Sequence, residues 1–198
     1  MSELENLNQE ISNCTKCSLH STRTNTVPGM GSPNADLMFI GEAPGANEDK
    51  QGLPFVGAAG KFLDEMLQSI GLQRADIFIG NVLKCRPPGN RDPEQEEVSM
   101  CWPYLEKQIC LIKPKLIVTL GRHAMNRFLP DMRISRDHGQ PKRYRGIYSK
   151  MQIYFPLYHP AAALYNGSLR KTLLDDFQKI PKVLELIDQE GNYLNQDS

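Results

Sequence analysis

The sequence predicts a single α/β domain, a three-layer α/β/α arrangement around a central, mainly parallel four-stranded sheet. Three observations carry that expectation: four short apolar, β-branched runs, amphipathic helical patterns between them, and a length of 198 residues, enough for one core without disulfide staples. A short amphipathic start leads to the connection 28–34, whose Gly, Pro, Ser and Asn content reads as loop. The first strand, 37–40, is Leu-Met-Phe-Ile and ends at Gly41. The second spans 77–83, the third 116–120 ahead of Gly121, and the fourth 152–155 running towards Pro156.

Helical patterns fill the gaps. Phe62, Leu63, Met66, Leu67 and Ile70 share one face, with Gly71 at the capping position. Asp92, Pro93, Glu94 and Gln95 signal a helix start with Asp92 as N-cap and Pro93 first, and that helix carries Cys101 in its interior. The last helix starts after Ser168, uses Leu169, Leu173, Phe177 and Ile180, and is bent or restarted by Pro181. No repeat or domain boundary interrupts 1–198; the core is expected over about 10–187, followed by a short polar C-terminal tail.

The chain balances 23 Lys and Arg against 23 Asp and Glu, which argues against nonspecific coating of nucleic acid. Lys84, Arg86 and Arg91, then Arg136, Lys142, Arg143 and Arg145, still form basic stretches, either solvated surface or phosphate contacts. The N-terminus lacks the basic and apolar regions of a signal peptide, and no stretch approaches the roughly 20 apolar residues of a membrane span. A cytoplasmic protein with no membrane partner, a monomer by default, is expected.

Four cysteines are placed as Cys14-x-x-Cys17, Cys85 and Cys101. In a reducing compartment this spacing reads as a metal cage, and four thiolates suit either zinc or an iron–sulfur cluster. Cys110, inside the apolar run 109–112, is expected as a small core residue. Four sulfurs saturate a zinc ion and leave no open position for water, so the chemistry must lie elsewhere.

Ligands of an open parallel sheet bind beyond the carboxyl ends of its strands. After the first strand stand Gly41, Glu42, Ala43, Pro44 and Gly45, then Glu48, then 51–57 with Phe55. Glu42 occupies a position suited to a general base or an electrostatic stabiliser, and the glycines permit close backbone approach. Neither phosphate-binding glycine motif is present. Asn81 brings an amide that can read a base edge, and Lys84 and Arg86 follow it. His159 follows the fourth strand and opens a small apolar loop tipped by Leu164 and Tyr165, wedges suited to a base stack.

The motif Gly41-Glu42-Ala43-Pro44-Gly45 with Pro54-Phe55-Val56-Gly57, the run from Asn81 through Lys84-Cys85-Arg86 to Pro88, the cysteine spacing, and His159-Pro160 ahead of Leu164 together resemble the family 4, iron–sulfur, uracil-DNA glycosylases. The resemblance extends from about Cys14 to Phe177, and the joint order of the motifs is far more specific than any one of them.

The resemblance implies a DNA-repair hydrolase that flips uracil out of DNA and hydrolyses its N-glycosidic bond, leaving an abasic site. Cys14, Cys17, Cys85 and Cys101 are then the ligands of a structural [4Fe–4S] cluster, with zinc the less favoured occupant. His159 donates to uracil O2 as charge develops, Phe55 stacks on the base, and Asn81 accepts from N3–H and donates to O4. Gly41 and Ala43 belong to the same base site. Other branches carry Asp or Asn at the position of Ala43, so water activation is assigned to Glu42, while Glu48 is placed near uracil C5 to reject thymine's methyl. Lys84 and Arg86, with Lys142 and Arg143 as further contacts, grip the DNA backbone, and Leu164 or Tyr165 fills the gap left by the flipped base. The loop 89–93 contains no histidine and His123 does not match it, so monofunctional turnover without a stable adduct is expected. The competing reading is a noncatalytic nucleic-acid-binding module, which has no need of Glu42, Asn81 and His159 on one pocket.

Overall fold

The structure is a computed structural model that describes residues 2–146 and 151–196, with side chains through Glu190. In chain order the elements are α1 (Glu3–Ser12), β1 (Met30–Gly31), β2 (Leu37–Gly41), α2 (Ala46–Gln51), α3 (Ala58–Ser69), β3 (Phe78–Asn81), α4 (Gln95–Ile112), β4 (Leu116–Leu120), α5 (Arg122–Phe128), α6 (Ile134–Asp137), β5 (Lys142–Arg145), β6 (Met151–Leu157), α7 (Pro160–Tyr165), α8 (Gly167–Phe177) and α9 (Ile180–Gln196).

The four expected strands form the parallel middle of a six-stranded sheet of order β1-β3-β2-β4-β6-β5, whose two edge pairs are antiparallel. Their residues alternate between two cores. Met38, Ile40, Phe78, Ile117 and Tyr154 pack on one face with Ile11, Leu105 and Phe128. Leu37, Phe39, Ile79, Val118 and Phe155 pack on the other with Leu63, Met66, Leu173 and Phe177. Burial on both faces is why these strands read as continuous apolar runs and not as alternating ones.

The edge strands are the correction to a four-stranded sheet. β1 lies in the expected loop, where Gly29 and Gly31 have φ values of +128° and +126° and a Cβ on Gly31 would stand 1.9 Å from the Ile77 carbonyl oxygen. Pairing here depends on missing side chains, a signal opposite to β-propensity. β5 is built from basic residues expected on DNA; cationic edge strands discourage further strand addition. Helix α4 starts two residues later than Asp92 implied. Glu94 is its N-cap, in a capping box with Glu97, because Glu97 is buried and fixed by Arg91 through contacts of 2.5 and 3.0 Å. Cys110 is half-buried, not a core residue. The last helix divides into α8, capped by Asn166, and α9, with Pro181 in its first turn. α9 continues through most of the expected polar tail to Gln196; residues 197–198 lie outside the described residues.

From β2 the chain crosses through α3 to β3 on one side, then through α4 to β4 on the other side of β2. The connections diverge at the C-terminal end of β2, the switch point at which open α/β sheets form a crevice. Register aligns Gly41 with Asn81 and Leu120 with Leu157, so Glu42, Asn81 and the segments opening at Gly121 and Tyr158 leave the sheet along one edge.

Candidate functional site

A cleft of about 460 Å³ opens over that edge, lined among others by Glu42, Ala43, Glu48, Phe55, Asn81, Asp92, His159 and Leu164. Its size falls in the range of small-molecule sites. Its floor is set by Gly41, where a Cβ would stand 2.4 Å from Asn81 Oδ1 and 2.8 Å from Phe55 Cζ. Asn81 is 2 % exposed.

Phe55 sits in a left-handed backbone conformation, φ +53°, in the turn before α3. That strain persists only because the surroundings over-determine it. Arg74, paired with Asp64, donates to the carbonyls of Pro54 and Phe55. Gly60 allows the Phe55 carbonyl to approach, since a Cβ there would lie 1.7 Å from its oxygen. Glu48 accepts from the N–H groups of Val56 and Gly57 at 2.9 and 3.0 Å. Glu48, expected to face uracil C5, therefore braces the Phe55 turn with one oxygen while lining the cleft.

His159 caps α7 and stacks on Phe55, ring centroids 5.7 Å apart. Its Nδ1 accepts from the Ala161 N–H at 3.1 Å, so the neutral ring carries its proton on Nε2. Burial pulls its pKa down to about 4, opposed by the charge of Glu48. The ring is neutral at physiological pH and presents an N–H donor.

Glu42 is half-buried, and burial raises its pKa; His123 opposes the shift and Asp92 adds to it. His123 Nε2 lies 4.0 Å from Glu42 and 3.6 Å from Asp92, and accepts from Arg122 Nε at 3.1 Å. His123, Arg122 and Asp92 were missed as neighbours of Glu42. The signal was available: Gly121, Arg122 and His123 follow β4 as directly as Glu42 follows β2.

The DNA contacts expected from the sequence separate into two groups. Leu164 and Tyr165, 42 % and 91 % exposed, stand out beside the cleft, and Arg86 bonds Asn90 in the loop that forms one wall. Lys84 is a correction. It is 1 % exposed, with Nζ on the Asn81 carbonyl and Gln108 Oε1 at 2.9 and 2.6 Å, and cannot reach a phosphate. Burial pushes its pKa down to about 8. Lys142 pairs with Asp137 and Arg143 with Glu190 on the β5 edge, so both basic side chains are already neutralised within the fold.

Cys14, Cys17, Cys85 and Cys101 line one cavity on the far side of β3 from Phe55. Cys85 accepts from Arg23 Nη1 and Cys101 from the Lys84 N–H, both at 3.2 Å. Burial raises the thiol pKa values of Cys17 and Cys85 and takes Cys101 up to about 11, so thiolates there require a bound cation. Among the described residues, the trio of ligand-type atoms within 4.8 Å of one another is Glu42, Asp92 and His123; no three of the four sulfurs stand that close.

The chain is thus a doubly wound α/β domain with a largely apolar cleft, crossed by a few converging polar groups, at its switch point and a separate cavity lined by four thiols. Its sequence matches the family model of the Uracil DNA glycosylase superfamily over residues 28–184. It is 54 % identical over 187 residues to a type-4 uracil-DNA glycosylase of Sulfurisphaera tokodaii, covering 91 % of this chain and 84 % of that one. It is 50 % identical over 185 residues to the type-4 uracil-DNA glycosylase of Archaeoglobus fulgidus, covering 91 % and 92 %. A type-5 uracil-DNA glycosylase of Thermus thermophilus is 31 % identical over 62 % of each chain. The chain belongs to the uracil DNA glycosylase superfamily and, within it, to the type-4 uracil-DNA glycosylases.

Proposed function

We propose that this chain is a monofunctional uracil-DNA glycosylase of base excision repair that hydrolyses the N-glycosidic bond of uracil flipped out of DNA, with a structural [4Fe–4S] cluster held by Cys14, Cys17, Cys85 and Cys101. The observation that carries the reading is the convergence of Glu42, Phe55, Asn81 and His159 on one cleft at the switch point of the sheet. A noncatalytic binding module does not call for this set.

Each residue has a distinct task. Phe55 offers a preset stacking face, and the Asn81 amide accepts from N3–H and donates to O4, a pattern cytosine reverses. As the C1′–N1 bond breaks, its electron pair passes to the uracil ring, and His159 Nε2–H stabilises the charge developing on O2. Glu42 faces the cationic sugar and accepts a proton from the attacking water; its raised pKa makes it a better acceptor than an ordinary carboxylate. Leu164 or Tyr165 occupies the vacated stack, and Arg86 positions the DNA-facing loop. Among the described residues the cleft lining contains no lysine to form a Schiff base, which supports simple hydrolysis.

The donor set of the cage fits a cluster. Four thiolates from three separate segments, converging on one buried cavity, are the ligand set of a [4Fe–4S] core, which holds its sulfurs farther apart than a single zinc ion would. A bound cluster would cross-link the segment after α1, α4 and the segment after β3, and the hydrolysis needs no redox step. We propose a single domain over 1–198 that acts as a monomer.

A single-uracil oligonucleotide tests the activity. Alkali-labile abasic sites are expected, without strand cleavage before alkali and without a borohydride-trapped adduct; an intact oligonucleotide would sink the proposal. Iron and sulfide analysis with the visible cluster absorbance is expected to show iron, and zinc in its place would remove the cluster assignment. Gly41→Ala is expected to cost about 1–3 kcal/mol of stability through overpacking and to depress excision by displacing Asn81 or Phe55, read by thermal melting beside the same assay.

A further inference from the structure

Lys84 stands between the base-reading residue and the cage, and each of its polar groups is engaged. Its backbone N–H donates to Cys101 Sγ at 3.2 Å, its carbonyl accepts from the Val27 N–H at 2.7 Å, and its Nζ donates to the Asn81 carbonyl at 2.9 Å. Gln108, the other acceptor of Nζ, donates in turn to the Pro28 carbonyl at 2.8 Å. One buried residue thereby joins the Cys101 sulfur, through its backbone N–H, to the β3 terminus and Gln108 of α4, through its ammonium, in one hydrogen-bonded unit.

Burying an ammonium against neutral oxygens is costly unless negative charge lies nearby. The nearest sulfur, Cys101 Sγ, lies 3.2 Å from the Lys84 backbone nitrogen, and four thiolates around an iron–sulfur core would form a net anion beside the ammonium. Lys84 is therefore placed as an internal counter-ion of the cage. A lysine needed only to satisfy two oxygens would owe nothing to the metal.

We propose that Lys84 is a positioning residue that couples the metal centre to Asn81, so that the filled cage holds the base-reading amide in place and bound uracil in turn stabilises the cage. The inference rests on the function and cluster proposed above.

Lys84→Met keeps the length of the side chain and removes its charge and donors. In the iron-loaded protein, this variant is expected to fold, to release iron to a chelator about tenfold faster, and to show a KM for uracil-containing DNA raised about tenfold with a smaller change in kcat. Release and KM both unchanged, or a lowered melting temperature alone, would overturn the proposal. The unmodified holoprotein gives a second measurement that needs no variant: by reciprocity, saturating abasic DNA with free uracil is expected to slow iron release. Release indifferent to these products would overturn the coupling even if Lys84→Met fails to fold. If the unmodified protein neither excises uracil nor holds iron, the functional reading fails and the coupling with it; excision by an iron-loaded protein with no coupling removes this inference alone.

Discussion

Substituting His159 by alanine is expected to slow single-turnover uracil excision about 10²–10³-fold, the usual consequence of removing one preorganised donor from a site where anionic charge develops. The Ala161 N–H occupies Nδ1, so the proton of the neutral ring is held on Nε2, and the stacked Phe55 ring fixes the plane. The pH dependence follows from the depressed pKa. With a folded pKa of about 4 against the ordinary histidine value of 6.5, the unfolded chain binds more protons between those limits. The contribution of His159 to stability is therefore complete above about pH 6.5 and declines as pH falls towards 4. Activity is expected to show no histidine inflection near neutrality; its acid limb belongs to Glu42, whose carboxyl is raised by burial, and should move in Glu42→Gln. A single-turnover pH profile with a histidine step near 6.5 would contradict the neutral-donor assignment.

Asn81→Ala is expected to lower kcat/KM for uracil-containing DNA by about 10²–10⁴-fold, because two hydrogen bonds to a buried base edge disappear and the base's polar groups are left unpaired. The fold should persist, since Lys84 is bonded to the Asn81 backbone carbonyl, which alanine retains. Comparing excision with thermal melting checks both halves. A variant that excises uracil at the unmodified rate would remove Asn81 from base recognition.

Much of this site was legible because parallel strands deliver their C-terminal residues to one edge. That rule pointed to Gly41, Glu42 and His159, the amide chemistry singled out Asn81, and the cysteine spacing anticipated that four thiols would line one cavity. What escaped reading depends on spatial order. Nothing in the sequence says that β4 lies beside β2, and only that adjacency brings His123 to Glu42. Lys84 reads as exposed within a basic run, but lies inward because β3 ends beside α4 and Gln108 meets its ammonium. Glu48, expected near uracil C5, lines the cleft, and its partners are backbone N–H groups of a turn whose shape could not be inferred beforehand. Both edge strands were hidden for related reasons, β1 by glycine and β5 by charge.

The Phe55 turn has a consequence for how damaged bases are chosen. Its strained backbone is locked by Arg74, Gly60 and Glu48, groups that all belong to the folded protein and none to the substrate. On the function proposed above, the receiving surface is complete before DNA arrives, and no ordering step separates correct from incorrect bases at entry. Every base that swings out transiently meets the same finished slot, and selection becomes a contest of dwell times: a base that fits stays long enough to react, and one that does not returns to the helix first.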